Sequence, residues 1–339
     1  MSVIHTPKHL LHHGWAVLTL DSSMNALCQH ARNYVVPLLN TSNESLVSLR
    51  REWTNKHAPV TDDLYGFYAP PKQSDIAGER TNFMYRRGPW SSDSHVANEI
   101  LSTHDQLMTH MGDLGKTMLN GLMEHTLADL SQTGVYPSGS FPFSRTSVTS
   151  QLYRTSSESP TTPSASLLVK DHIDCTLLTL IAIPTDDQQL RVRDIVTNDY
   201  ICPTEAVSTS SPSTFCVVVM IGYLVDAILS HGLGFLATHH HVVAGPGDTH
   251  SQRLSFVLRM LPADDAPVSV TTNAAINMGF LEYTPSTNTS VRRVYPSGEI
   301  VNQFRRTHES VTLQYKESRN SKRRRTRRAS RHSNLLPCM

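Results

Sequence analysis

The sequence predicts an α+β protein with a mainly β core. Two observations carry this. In the N-terminal half, apolar residues recur at three- and four-residue steps, the period of a helix buried on one face. From about residue 146 the chain breaks into short β-branched segments separated by Pro, Ser, Asp and Gly, with no helices between them. Many short strands in succession imply an antiparallel sandwich or barrel. At 339 residues, 39% hydrophobic and 17% charged, the chain can bury a sizeable core as one large domain or two ordinary ones.

Taken in order, the opening His12-His-Gly-Trp-Ala-Val-Leu-Thr-Leu20 reads as a glycine followed by a short strand. Asp21 then caps a helix with the period Met24, Leu27, Ala31, Val35, Leu38. Residues 40–75 are polar and proline-containing, with Tyr65-Gly-Phe-Tyr68 in the middle, and read as a loop or short helix. Residues 91–131 carry the clearest helical period, from Val96 and Ile100 to Leu122 and Leu127, as two helices or one broken near 112–115. Strands are expected at 147–154, 166–170, 176–183, 189–194, 214–221, 234–243 and 252–261, with loops at 185–188 and 203–212. The apolar run 215–225 is too short for a membrane span, which needs about 20 residues, and reads as a pair of buried strands. A further strand is expected at 279–283, turns at 284–297 and a helix at 299–312. The resulting divisions are a helical and mixed region 1–145, a strand-rich core 146–266, a C-terminal strand and helix 267–316, and a disordered basic tail 317–339.

The formal net charge of +1 conceals an asymmetry. Residues 322–331 hold seven positive charges and no acid, which leaves the rest of the chain at −6. A body of that sign is not a nucleic-acid-binding surface, so contact with nucleic acid is open only to the tail. The basic run matches a nuclear-import or nucleic-acid patch, or simply a solubilising tail. Arg327-Arg-Ala-Ser330 also suits a basophilic kinase. Five scattered cysteines without CxxC spacing argue against disulfides or structural zinc and favour a reducing compartment. With no signal peptide or membrane span in view, the expectation is a cytoplasmic protein, with the basic run as a nuclear candidate.

Three polar pairs stand out in the strand region. His172 and Asp174 are two apart, so a strand would project both from one face. An imidazole and a carboxylate supply two of the three ligands of a 2-His-1-carboxylate iron site. A third ligand is offered by His239, His240 and His241, where alternation allows either His240 or its two neighbours to point inward. Arg253 with Ser255, and Gln151 with Tyr153, form the other two pairs. A guanidinium beside a hydroxyl and a phenol is a receptor for a carboxylate, because its fork binds two oxygens in a plane. His12, His13 and His250 read as solvated.

The order of these motifs resembles the 2-oxoglutarate and Fe(II)-dependent oxygenase superfamily, in particular its isopenicillin N synthase-like branch. His172-Ile-Asp174 through Leu180 is similar to the family's His-x-Asp strand, and Leu190-Arg-Val-Arg-Asp194 to the strand that follows. Val218-Val-Met-Ile-Gly222 resembles the segment ending in Gly-Asp, with Tyr223 in place of the acid. Ala237 to Val243 resembles the distal-His strand and puts the ligand on His240, with His241 where the family usually has Arg. Gln252-Arg-Leu-Ser-Phe256 resembles the Arg-x-Ser motif, and Gln151-x-Tyr153 stands where the family has Asn-x-Tyr. Gly14-Trp-Ala-Val-Leu and Glu79-Arg-Thr-Asn-Phe83 agree with the N-terminal half, so the resemblance spans residues 10–312.

The resemblance implies a double-stranded β-helix (jelly-roll) barrel flanked by N-terminal helices. It implies Fe(II) on His172, Asp174 and His240. It implies 2-oxoglutarate as co-substrate on Arg253, Ser255 and Tyr153, with Gln151 beside them. The expected enzyme is a dioxygenase that uses O2 to oxidise, by default hydroxylate, a small organic substrate while releasing succinate and CO2. Ascorbate enters as an optional reductant. Two other readings stay open: an oxidase of the same branch that does not use 2-oxoglutarate, and an inactive binding protein with a nuclear or nucleic-acid role. Oligomeric state is not legible.

Overall fold

Thr6 starts helix α1 (Pro7–His13) by accepting a hydrogen bond from His9 N, and Pro7 occupies the first turn, where no amide donor is needed. Gly14, at φ +83°, ends the helix and bonds the Leu10 carbonyl. The chain passes into strand β1 (Trp15–Thr19). The carboxylate of Asp21 accepts from Met24 N at 2.9 Å at the start of helix α2 (Ser22–Asn40), as the sequence predicts. A computed structural model describes residues 6–40, 47–48, 65–69, 78–87, 95–126, 145–155, 167–207, 214–229, 236–244, 252–262, 264–282 and 291–306. The basic run 322–331, the rest of the tail and the loop residues 208–212 fall outside them.

Strands β2 (Tyr65–Tyr68) and β3 (Gly78–Tyr85) lead to the long helix α3 (His95–Thr126). This helix is continuous, which corrects the expectation of a break near 112–115. Its glycines serve close approach instead. A Cβ at Gly115 would run into Met260, and one at Gly121 into the ring of Pro7. The core then runs through β4 (Ser147–Thr155), β5 (Leu167–His172), β6 (Leu178–Pro184), β7 (Leu190–Arg193) and β8 (Tyr200–Ile201). A 3-10 turn (Pro203–Ala206) follows. Strand β9 (Phe215–Ile221) leads into helix α4 (Tyr223–Leu229), so the apolar run 215–225 is a strand and a helix rather than two strands.

The remaining strands are β10 (His240–Val243), β11 (Gln252–Arg259), β12 (Pro267–Thr271) and β13 (Arg292–Pro296), with helix α5 (Thr272–Asn277) between the last two. Strand β10 is shorter than the predicted 234–243. Residues 279–282 are not a strand: Gly279, at φ +78°, turns the chain after α5, and Phe280 N bonds back to Ala275 O. The strand lies instead at β13, within the predicted turn region. Its residues are mostly exposed and two of the five are arginines, so it carries no buried apolar alternation, and its pairing with β12 makes it a strand. Helix α6 covers 297–306 of the predicted 299–312.

All pairings are antiparallel. The major sheet has the order β1-β9-β6-β11-β4-β3-β2 and the minor sheet β5-β10-β7-β8. From β4 to β11 the chain passes repeatedly between the two sheets, as a jelly roll does, without the pairings closing one barrel. Strand β9 shows how the layers form. Phe215, Val217, Val219 and Ile221 join the core under the helices, and Cys216, Val218 and Met220 join the core between the sheets. A strand covered on both faces reads as one apolar run. The second core also takes Val17, Ile181, Leu190, Val192 and Val242, so it holds the two sheets face to face.

Buried polar groups clamp these layers. His104 of α3 sits between Ile100 O and Ser150 Oγ, each 2.7 Å from a ring nitrogen. A carbonyl only accepts, so Nδ1 carries the proton and Nε2 accepts from Ser150. His13 is no solvated residue: its Nδ1 lies 2.7 Å from Asp194 Oδ2, which also accepts from Trp15 Nε1. Burial lowers the His104 pKa from its ordinary 6.5 to about 4. A depressed folded pKa makes its contribution to stability complete above about 6.5 and lost as pH falls through about 4. Unfolding free energies from urea titrations across that window should fall with acid by up to about 3 kcal/mol for this residue. The fall should be shallower in His104→Leu; equal slopes would contradict the assignment.

Candidate metal centre

The minor sheet brings two histidines together through its register. His240, the first residue of β10, is the paired partner of His172, the last of β5. Their rings lie 4.2 Å apart. Asp174 completes the group from just outside the strand, because β5 ends at His172 and the chain is already crossing toward β6. The convergence is therefore made by a held turn rather than by strand alternation. Tyr223 N donates to Asp174 O at 2.9 Å, Gly222 N to Leu177 O at 2.9 Å and Leu224 N to Thr176 O at 3.0 Å. A Cβ at Gly222 would overlap the Thr176 backbone, so glycine is required for this approach.

One donor atom from each of the three residues lies within 4.8 Å of the others. Asp174 Oδ1 is 3.8 Å from His172 Nε2, and Oδ2 is 3.8 Å from His240 Nε2. The histidines are oriented from behind: His172 Nδ1 is 2.8 Å from Lys170 O, and His240 Nδ1 is 3.2 Å from Thr238 O. Each Nδ1–H is thereby used, and each Nε2 lone pair is left facing Asp174. Thr179 Oγ1 donates to Asp174 Oδ2 at 2.8 Å and is itself 3.0 Å from Thr176 Oγ1. Burial by itself would raise the Asp174 pKa. Arg259 foremost, then the two imidazoles and the Thr179 hydrogen bond, outweigh it and hold the carboxyl well below its usual range. His240 is lowered to about 4 by burial and by His172. An ionised carboxylate and neutral imidazole lone pairs are the forms that bind a divalent transition metal.

The same cleft is lined by the other two predicted pairs. They face each other across the β4–β11 ladder: Arg253 opposite Tyr153, and Ser255 opposite Gln151. Tyr153 donates to Gln151 Oε1 at 2.6 Å, and the Arg253 guanidinium lies 5.3 Å from the Tyr153 ring centre. Arg253 Nη1 is 3.5 Å from Ser255 Oγ. Its Nε lies 2.7 Å from Asp187 Oδ2, an ion pair without hydrogen-bond alignment, and its buried Nη2 has no hydrogen-bond partner. Val169, Ile181, Leu190, Val242 and Val257 form the apolar wall.

The sequence matches no protein-family model and no curated protein. Solved structures do match. A full-length Neurospora crassa protein, crystallised in complex with alpha-KG, aligns over 88% of this chain and 90% of its own at 15% identity and a TM-score of 0.61. A putative 2OG-Fe(II) oxygenase family protein of Caulobacter crescentus aligns over 89% and 92% at 15% identity and TM-score 0.57. A rice dioxygenase for auxin oxidation aligns over 90% and 88% at 13% identity and TM-score 0.56.

The fold is that of the 2-oxoglutarate/Fe(II) oxygenases.

Within this oxygenase fold, His240 is separated from its neighbours. His239 Nδ1 lies 2.9 Å from Asp171 Oδ2, and His241 Nδ1 lies 3.9 Å from Asp171 Oδ1, which also accepts from Tyr200. Neither lines the cleft. Three cleft features escape the sequence reading. Thr179 and Asp187 meet their partners only through the fold, and nothing in a turn residue at 187 points to an arginine on a distant strand. Arg259 was legible: carrying the alternation of Arg253 and Ser255 two steps along β11 reaches it through Val257. Its Nε is 3.8 Å from Asp174 Oδ1.

Calorimetric titration with Co(II) should separate the three histidines. His240→Ala should lose at least about 100-fold in affinity, more than the roughly 10–100-fold that loss of a ligand's outer hydrogen-bond partner costs. His239→Ala and His241→Ala should stay within about threefold. The reverse pattern would move the site to Asp171.

Proposed function

We propose that this protein is an Fe(II)- and 2-oxoglutarate-dependent dioxygenase that oxidises a small organic substrate. The observation that carries the reading is one cleft holding both a 2-His-1-carboxylate group and, beside it, a buried guanidinium nitrogen with no partner. An unsatisfied buried donor costs about 1–3 kcal/mol, which a bound carboxylate would relieve. The donor set of two neutral imidazoles and one carboxylate fits Fe(II).

His172 Nε2, the Asp174 carboxylate and His240 Nε2 would hold the iron. When bound, the iron supplies the O2 chemistry that converts 2-oxoglutarate to succinate and CO2 and oxidises the substrate. The chain supplies the rest. Arg253 Nη2, with Ser255 Oγ and Tyr153 alongside, would receive the distal carboxylate, and Asp187, 2.7 Å from Arg253 Nε, holds the guanidinium in the cleft. Lys170 O and Thr238 O keep the imidazole tautomers fixed, so no proton moves when metal binds to either Nε2. The apolar wall from Val169 to Val257 limits water in the cleft. The Neurospora crassa protein, also crystallised with alpha-KG and thymine, supports a small organic molecule as the substrate class.

Full-length protein loaded with Fe(II) should release succinate and CO2 in equal amounts from 2-oxoglutarate in air, with ascorbate present to keep the iron reduced. Arg253→Lys keeps the charge and loses the fork. It should raise the KM for 2-oxoglutarate by about 10- to 100-fold, the equivalent of one charge-assisted hydrogen bond. Iron binding without any succinate release would reject the 2-oxoglutarate reading in favour of a 2-oxoglutarate-independent oxidase or an inactive binder.

A further inference from the structure

Strand β11 carries two arginines into the cleft, six residues apart, which is about 20 Å along an extended backbone. Their surroundings differ. Arg253 is buried and paired with Asp187. Arg259 is a quarter exposed. It stands opposite Thr179 in the β6–β11 ladder, the same threonine whose hydroxyl holds Asp174. Its Nε is 3.8 Å from Asp174 Oδ1, and its Nη1 is 3.5 Å from Thr149 Oγ1. Arg259 therefore sits at the level of the triad, and Arg253 lies farther along the strand.

Charge counting gives Arg259 a task. Arg80, Arg253 and Arg259 line the cleft against the carboxylates of Asp174 and Asp187, a surplus of one positive charge. A divalent ion and dianionic 2-oxoglutarate cancel each other and leave that surplus in place. Once Asp174 ligates a metal its charge is shared with the ion, and Arg259 loses its one close counter-charge among the described residues. A partly buried guanidinium without a counter-ion is costly, and an anionic ligand is what it pairs with best. Arg80 is the other unpaired cation, since no carboxylate among the described residues lies within ion-pair distance of it. It is on the Tyr153 and Arg253 side, 6.0 Å from the Tyr153 ring centre, away from the triad.

We propose that Arg259, with Thr149 beside it, forms an anion subsite next to the metal, and that the substrate carries a carboxylate or equivalent anionic group bound there. This rests on the dioxygenase reading of the same cleft. It adds a substrate class that neither the triad nor the co-substrate anchor specifies. A planar carboxylate suits the two-nitrogen fork of arginine, and the Thr149 hydroxyl supplies one further donor. Binding there would place the adjoining carbons of the substrate beside Asp174.

The test uses full-length protein loaded with Mn(II) and saturated with 2-oxoglutarate. Acetate, benzoate and phenylacetate are each compared with the corresponding primary amide, and thymine is added as a neutral ring. Binding is read from the paramagnetic relaxation of ligand protons. At least one carboxylate should bind ten or more times tighter than its amide. That preference should vanish in Arg259→Gln and return in part in Arg259→Lys, while 2-oxoglutarate affinity, measured at saturating Mn(II), stays within about fivefold of wild type, a shift near 1 kcal/mol. Equal binding of acids and amides, or tighter binding of thymine than of any carboxylate, would overturn the subsite. So would loss of 2-oxoglutarate affinity in Arg259→Gln, because Arg259 would then belong to the co-substrate anchor. If wild-type protein binds neither Mn(II) nor 2-oxoglutarate, the dioxygenase reading itself fails, an outcome distinct from these.

Discussion

The hydrogen bond from Tyr223 N to Asp174 O holds the place where the chain leaves the minor sheet for the major one. Asp174 stands on that crossing, with His172 behind it at the end of β5 and Thr179 ahead of it on β6. The bond forms only because Gly222 lets the β9–α4 junction touch the Thr176 backbone. Strand β9 is covered on both faces, so this junction is anchored in both hydrophobic cores at once. The Asp174 crossing is thus fastened to a strand that is buried at every position.

The electrostatics of the cleft follow from the same layering. Between two sheets, a charge without a partner is expensive, and the cleft carboxylates of Asp174 and Asp187 are each met by an arginine. Asp187 takes two amide bonds at its own turn, from Gln189 and Leu190, and gives its second oxygen to Arg253. Asp174 collects Thr179, two imidazoles and Arg259. On the far side of the histidine run, Asp171 collects His239, His241 and Tyr200. The consecutive histidines are therefore divided between two carboxylates, His240 to one and its neighbours to the other, with adjacent residues sent to opposite faces.

Much of this was legible because it is local. Asp21 caps α2, Gly14 ends α1, and the β-branched runs of β4, β6, β9 and β11 are strands where the pattern puts them. The Arg253–Ser255 and Gln151–Tyr153 pairs face each other as alternation requires. The failures have physical causes. Glycine at 112 and 115 signals a break by propensity, yet α3 runs through both, and Gly115 answers Met260, which lies far away in sequence. The His-x-Asp motif suggested a strand pair, whereas Asp174 is placed by contacts with residues near 223. Strand β13 is polar and exposed, so only its pairing partner reveals it. Asp187 and Thr179 are ordinary residues in sequence, and their importance exists only once the sheets are stacked.

The proposed site puts the metal on His172, Asp174 and His240 and the co-substrate on Arg253 in one cleft, which a crystal structure of the protein soaked with Mn(II) and 2-oxoglutarate would reveal. An anomalous peak is expected about 2.0–2.2 Å from His172 Nε2, Asp174 and His240 Nε2, in the range of first-row metal–nitrogen and metal–oxygen bonds. The 2-oxoglutarate should run from that ion to Arg253 Nη2. A peak at Asp171, His239 and His241, or an ion at the triad with no 2-oxoglutarate carboxylate on Arg253, would contradict the proposed site.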